Sequence, residues 1–382
     1  MRAETGDCDL NIQVFPVWDG VNLRVPPVMG TPNDNQLQGT VQERLVELAG
    51  RTCYDSLGAE RSRGSSEYHQ HIIDVGHGSV LEHANYTVAI QCPNTAAAQA
   101  LALGCIGRPG VYPRLLPLAW NELRVTLNLR SAVEWDRTGN SGLLVSQQLV
   151  HTLQAAITDG AYQVAPQIAQ AANLKPVRLS PDYSARVVDA KHPEEHWVSM
   201  MIGCSRGTSH ALVRHGDYTA ISQRSTLFIT EDEAPWVEHP ALTALKHGTS
   251  TKHPRASQAA TALRMAHSVT QASQESYRRI AGELQVHFEE NKVNKLQARK
   301  QARGAARGYL GNALYTRLVF SANLPQWKRM IFARCSEHDD AEIRVLFARA
   351  LLALKIGIHG EYFGGMQLQP SQDGLGDVIA LG

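Results

Sequence analysis

An α+β fold, a mixed sheet flanked by long helices, is what this 382-residue sequence predicts. Three observations carry it. Residues 86–90 and 123–127 alternate apolar and polar side chains with the two-residue period of a strand. Residues 240–300 read as helical, with a long run over about 257–284, and no regular strand–helix–strand series accompanies it. No G-x-G-x-x-G bridges a strand and a helix, so the fold is expected to be non-Rossmann.

The elements follow in order. Pro16, Pro26, Pro27 and Pro32 break residues 1–40 into short extended pieces, with a strand expected over 11–17. Leu45, Val46 and Leu48 give residues 41–49 a helical stripe, which Gly50 is expected to end. Ser66 is positioned to cap a second helix through Val75, with Gly76 in the left-handed stop position. A strand over 86–91 follows. In residues 93–196 the strand at 123–127 runs into Asn128, which opens a helix, and 143–157 gives another. The same strand, Asn-Leu, helix order recurs over 318–354, where Asn323 reads as an N-cap with Gln326 at the third helical position. That echo is short: residues 93–196 are either a degenerate copy of the C-terminal unit or an unrelated insertion. Ser336-Glu-His-Asp339 offers a capping signal for the helix over 341–354.

Composition excludes several classes of function. A formal net charge of +1 gives no general attraction for nucleic acid or an anionic membrane. Six cysteines form no C-x-x-C pair and no zinc spacing, the pattern of small buried side chains in a reducing compartment. The absence of a leader-like segment and of any apolar run of membrane length makes a soluble, cytoplasmic protein the expectation.

The chemistry is concentrated in a few motifs. An amphipathic helix delivers Arg214-His215, and the loop after it ends in Ser222-Gln-Arg-Ser225. Guanidinium, hydroxyl and amide groups together suit phosphate and the edge of a pyrimidine. Upstream stands Gly76-His-Gly-Ser-Val-Leu-Glu-His83; downstream come Lys300-Gln-Ala-Arg-Gly-Ala-Ala-Arg-Gly-Tyr-Leu310, Leu314-Tyr-Thr-Arg317, Ser321-Ala-Asn-Leu-Pro-Gln-Trp327 and Arg334-Cys-Ser-Glu-His-Asp-Asp340. Arg299, Arg303 and Arg307 share one helical face. His77, Glu82 and His83 lack metal-site spacing, and no metal is expected.

In order and spacing these motifs resemble the flavin-dependent thymidylate synthases, over about residues 50–92, 197–240 and 298–355. The resemblance implies one catalytic domain over 1–382, with 93–196 as an insertion or degenerate repeat. It implies FAD as cofactor, NADPH as reductant and 5,10-methylenetetrahydrofolate as carbon donor in the C5 methylation of dUMP to dTMP. His77, Ser79, Glu82, Arg214, His215 and Asn323 become cofactor contacts, and Tyr315 a supporting one. Ser222, Gln223, Arg224, Ser225, Arg307 and Arg334 become substrate contacts. Ser222 lies near the reacting carbon, and Arg334 sits at the uracil carbonyls. A homotetramer with shared sites is implied as well.

No cysteine stands at a catalytic position of these motifs, so uracil attack by a thiolate is not expected. The sequence also departs from the family pattern. Gly216 stands where the signature has a third arginine, in a left-handed turn or as a lost contact that Arg130 or Arg329 replaces. Ala211, Ser225, Pro325 and Arg329 differ too. Two alternatives stay open: the same methylation on UMP or a modified pyrimidine nucleotide, and a degenerate flavin- or nucleotide-binding protein.

Overall fold

Two four-stranded antiparallel sheets form the frame of the computed structural model, which describes residues 12–25, 37–56, 64–106, 108–115, 121–135, 147–216, 218–248 and 256–380. The chain opens with strand β1 (Gln13–Trp18), then helices α1 (Val41–Cys53) and α2 (Ser65–Asp74), and a 3-10 turn at Gly78–His83 leads into β2 (Asn85–Gln91). Next come α3 (Thr95–Cys105), β3 (Val111–Leu115), β4 (Glu122–Asn128), α4 (Leu129–Val133), α5 (Gln147–Val164) and α6 (Pro166–Ala171). Strands β5 (Ser184–Val188) and β6 (Trp197–Ser205) precede α7 (Arg206–Leu212) and β7 (Thr219–Gln223). Three helices follow: α8 (Pro240–Gly248), α9 (Ala256–Glu290) and α10 (Lys295–Ala306). The chain then runs through β8 (Tyr315–Asn323), α11 (Leu324–Arg334) and α12 (Ala341–Ile356) to the small hairpin β9 (Leu368–Pro370) and β10 (Asp377–Ile379).

The α+β class holds. The single mixed sheet does not: the strands divide into orders β3-β4-β2-β5 and β1-β6-β8-β7, and every pairing among them is antiparallel. Each sheet has its own core. Val88, Ile90, Leu123, Val125 and Leu127 of the first pack with Leu101, Leu153 and Ile157 from α3 and α5. In the second, Met200, Ile202, Leu318 and Phe320 meet Trp327, Ile331, Leu346 and Leu351 from α11 and α12. The other faces carry small and polar side chains, together with Trp197, Met201 and Val319 of the second sheet, which join the first core. His83, wholly buried, shares a hydrogen bond of 2.7 Å with the Ser321 hydroxyl, which lies 2.5 Å from that of Ser199.

Local signals explain the ends of the elements. Thr40 and Glu43 form a reciprocal capping box on α1, worth about 1 kcal/mol. Gly50 does not end α1. The helix continues to Cys53, and a Cβ at 50 would lie 2.4 Å from the Tyr68 hydroxyl, so glycine serves packing there. Ser66 lies inside α2, whose N-cap is Gly64, while Gly76 adopts the expected positive φ of 70°. Asn128 and Asn323 both cap: their side-chain oxygens accept from Ser131 N at 3.0 Å and Gln326 N at 2.9 Å. For α12 the cap is Asp340, which accepts from Glu342 N. Helix α5 is described from Gln147, so its expected start at 143 lies outside the described residues.

Candidate functional site

The signature helix α7 is fixed at its start. Ser205 caps it, and its backbone N–H and hydroxyl both donate to the Glu342 carboxylate at 2.8 Å, tying α7 to α12. A 3-10 turn over Val213–His215 then presents exposed Arg214 and half-buried His215. Arg334 Nε donates to His215 Nε2 at 3.0 Å, which requires a neutral ring with its proton on Nδ1. Burial, reinforced by the charges of Arg334, Arg329 and Arg214, lowers the His215 pKa in the same direction. Asp339 holds Arg334 from the other side at 3.1 Å, and the Gln326 side chain donates to the His215 carbonyl.

Beside this turn lies a cavity of about 730 Å³, lined by residues that include Glu82, Asn128, Arg130, Glu134, Gly216 and Thr219. Arg130 is clamped between two carboxylates, Glu82 at 2.5 Å and Glu134 at 3.1 Å, and is 40% exposed. Arg108 stands 3.8 Å over the Trp135 ring on the same wall. Gly110, at φ 70°, lets the backbone approach Asn128, since a Cβ there would lie 2.3 Å from the Asn128 amide nitrogen. Gly216 is not left-handed: φ and ψ are −39° and −41°, and a Cβ built on it would meet no atom within 4 Å.

From Thr219 on the cavity wall, β7 leads to a second group of charges at its far end. Arg224 donates from Nη1 to both oxygens of wholly buried Glu231, at 2.6 and 2.7 Å, and from Nε to Asp55 at 3.0 Å. Arg206 is pushed toward lower pKa mainly by burial, and also by the charges of Arg307 and Arg224. Arg307 is exposed just after α10. Among the described residues, neither Arg206 nor Arg307 has a carboxylate within ion-pair distance.

Ser222 is 2% exposed, and its hydroxyl has no oxygen or nitrogen partner. The Cys53 thiol is its neighbour; burial pushes that thiol up to about 11 although the Ser222 hydroxyl draws it down. The Gln223 amide donates to Ser209 and Thr316, and Ser225 N donates to the Cys53 carbonyl.

The remaining expected contacts are dispersed. His77 bonds Tyr54 at 2.7 Å, in an aromatic group with Phe228 and Lys300, and it does not line the 730 Å³ cavity. Ser79 is exposed. Asn323 lines a different cavity of about 350 Å³ with Arg114, Gln326 and Arg329. Tyr315 is mostly buried beside Arg317, against Gly203. Sequence reasoning did not single out Arg206, Asp55, Glu231 or Glu134. Arg206 could have been found, since it opens the signature helix; the carboxylates carry no motif of their own.

Comparison with known proteins bears directly on this arrangement. The family model of the thymidylate synthase complementing protein matches residues 37–102 and 177–355. The chain belongs to this family. The matched thymidylate synthase complementing protein segments contain Glu82, Arg206, Arg224, Arg307 and Arg334, and leave out residues 103–176, where Asn128 and Arg130 lie. Among curated relatives, the flavin-dependent thymidylate synthase of Mycolicibacterium gilvum (strain PYR-GCK) is 31% identical over 196 residues, 50% of this chain and 72% of the relative. That of Mycobacterium sp. (strain KMS) is 32% identical over the same shares. That of Mycobacterium avium (strain 104) is 33% identical over 176 residues, 45% and 64%. No helix among the described residues is long and apolar enough to cross a membrane.

Proposed function

We propose that this chain carries out flavin-dependent C5 methylation of a uridylate, dUMP to dTMP, with 5,10-methylenetetrahydrofolate as carbon donor and NADPH as reductant. One observation carries the reading: β7 joins a large cavity at Thr219 to an arginine cluster at Arg224. Five extended residue intervals separate them by ~17 Å, a distance suited to two ligands meeting along one strand. Relatives named flavin-dependent thymidylate synthase support it.

The cavity residues fit a flavin. Its volume falls in the ordinary range for cofactor pockets, roughly 300–1,000 Å³. Arg130 and Arg108 offer guanidinium donors for phosphate or ring carbonyls, and Glu82 and Glu134 offer acceptors for ribose hydroxyls or ring N–H. A bound reduced flavin would supply the hydride that turns the transferred one-carbon unit into a methyl group.

The protein's own groups bind and orient. Arg206 and Arg307 offer positive charge to a nucleotide phosphate, while Glu231 and Asp55 fix the Arg224 fork beside them. Ser222 is buried beside the Cys53 thiol, and Gln223 is held in place by Ser209 and Thr316. Arg334, anchored by Asp339 and His215, keeps a fixed guanidinium for a carbonyl oxygen. Cys53 stays a thiol: with its pKa at about 11, on the order of one molecule in 10⁴ carries a thiolate at pH 7, so it is no nucleophile.

Tritium release tests the reading. Purified protein with FAD, NADPH and methylenetetrahydrofolate is incubated in parallel with dUMP and UMP tritiated at C5. Release from dUMP is expected; release from UMP alone would change the substrate, and release from neither would overturn the function.

A further inference from the structure

The two sheets are built alike and in matching register, apart from a bulge at Val17 of β1. From β2 the chain runs strand, helix, strand, strand, helix, helix through α5; from β6 it runs the same way through α12, with α8 to α10 inserted before β8. The sheet orders β3-β4-β2-β5 and β7-β8-β6-β1 then correspond strand by strand. Each capping asparagine sits opposite the first residue of its central strand: Asn128 faces Asn85, and Asn323 faces Trp197. The residue before each cap faces the start of the edge strand, Leu127 opposite Val111 and Ala322 opposite Thr219. The third residue of each central strand faces the last residue of the fourth strand, Thr87 with Val188 and Ser199 with Trp18. Both first helices carry a side-chain cap to the third residue on, from Asn94 and from Ser205.

The fourth strands cross over. β1 precedes the first unit but pairs with β6 of the second; β5 precedes the second unit but pairs with β2 of the first. Such reciprocal exchange is the arrangement of a strand-swapped pair of subunits. The two cavities follow the same relation. The larger combines the β4–α4 turn of the first unit with the start of β7 from the second; the smaller combines the β8–α11 turn of the second with β3 of the first. Tyr112 and Tyr218, ring centroids 4.6 Å apart, line both.

We propose that the chain is two fused, strand-exchanged copies of one unit, and that the first copy's Asn128 and Arg130, not the second copy's Asn323, hold the flavin. This rests on the flavin reading above. The copies have diverged in complementary ways. Two residues after the capping asparagine the first has Arg130 and the second Pro325; six residues after it the first has Glu134 and the second Arg329. Only the first therefore builds the carboxylate-clamped guanidinium, and it does so in the larger cavity. By the β3–β7 register Arg108 is the counterpart of Gly216, and both line that cavity. The guanidinium missing at 216 is thus supplied from the other copy. One chain contributes both walls, and the second cavity is a reduced copy of the first.

Titration of the full-length protein with FAD, followed by flavin fluorescence, tests the assignment without turnover. Saturation is expected at one FAD per chain. Arg130→Ala should weaken FAD binding at least tenfold and Arg130→Lys should restore part of it, while Asn323→Ala and Arg329→Ala should leave affinity within about twofold. Thermal melts check each variant, and Arg130→Gln, which keeps a polar side chain on the cavity wall, serves if Arg130→Ala fails to fold. Saturation at two per chain would overturn the assignment. So would loss of affinity in the Asn323 or Arg329 variants with Arg130 variants binding normally. A wild-type protein that binds no FAD would instead overturn the function itself, and this assignment with it.

Discussion

Replacing Gly216 with arginine is a direct probe of the large cavity. The residue has right-handed helical φ and ψ, lines the large cavity and has open space where a Cβ would stand. Backbone strain is therefore excluded as a cost. Removing a glycine from a helical turn contributes about 0.5–1 kcal/mol of stability. Gly216→Ala should accordingly raise Tm slightly and leave kinetics unchanged. Gly216→Arg adds a guanidinium that Glu82 and Glu134 attract and Arg130 and Arg108 repel, so its net value depends on an anionic or carbonyl-bearing ligand. A charge-assisted hydrogen bond of about 1.5–3 kcal/mol corresponds to a gain of roughly 10- to 150-fold in kcat/KM. The assay is kcat/KM for dUMP and UMP in wild type and both variants. Because this cavity is the one assigned to the flavin, the gain should be shared by dUMP and UMP and accompanied by tighter FAD binding; a gain confined to one nucleotide would place the substrate here instead. A fall in Tm for Gly216→Ala would refute the structural argument, and unchanged kinetics in Gly216→Arg would remove position 216 from the site.

Three further outcomes are expected. Arg224→Ala leaves buried Glu231 without its cation and should cost about 3–5 kcal/mol in denaturant unfolding, well beyond a lost substrate contact; an unaffected midpoint would show that the pair carries no structural weight. Burial holds His83 at about 3 in the folded protein against 6.5 unfolded, so the unfolded chain binds the extra proton between those values. Its contribution is complete above pH 6.5 and is lost as pH falls toward 3, by up to about 1.4 kcal/mol per pH unit; His83→Gln should flatten that slope. Under the two-unit proposal two chains supply the four units of the implied homotetramer, so light scattering should give about 84 kDa, twice the 41.9 kDa chain. A mass for four chains would restore the homotetramer that the resemblance implied.

Local signals were legible and distant ones were not. Asn128 and Asn323 announced themselves as caps because a short polar side chain before an apolar helix has few other uses, and Gly76 as a stop because few residues accept positive φ. Gly50 misled because its missing Cβ serves a contact with Tyr68, eighteen residues away in sequence and invisible to periodicity. The division into two sheets was hidden for the same reason: alternation marks a strand but says nothing of its partners. Within the site, Glu82 was found through a motif and Arg130 as a replacement for the missing arginine, but that the two pair, forty-eight residues apart, only the fold shows. Asp55 and Glu231 escaped because a carboxylate that steadies an arginine needs proximity and no particular spacing.

The crossed strands bear on how the chain is made. When residues up to 164 have left the ribosome, the first sheet has β3, β4 and β2 but not its fourth strand, so one edge of β2 is unpaired. β1 meanwhile waits for β6, which emerges only after β5. A nascent chain in this state exposes a strand edge that could capture the same segment of a neighbouring polysome product. Synthesis rate over the stretch before β5 therefore sets how long that edge stays open, and dividing the gene between α6 and β5 would yield two halves that each lack a strand and must find each other to fold.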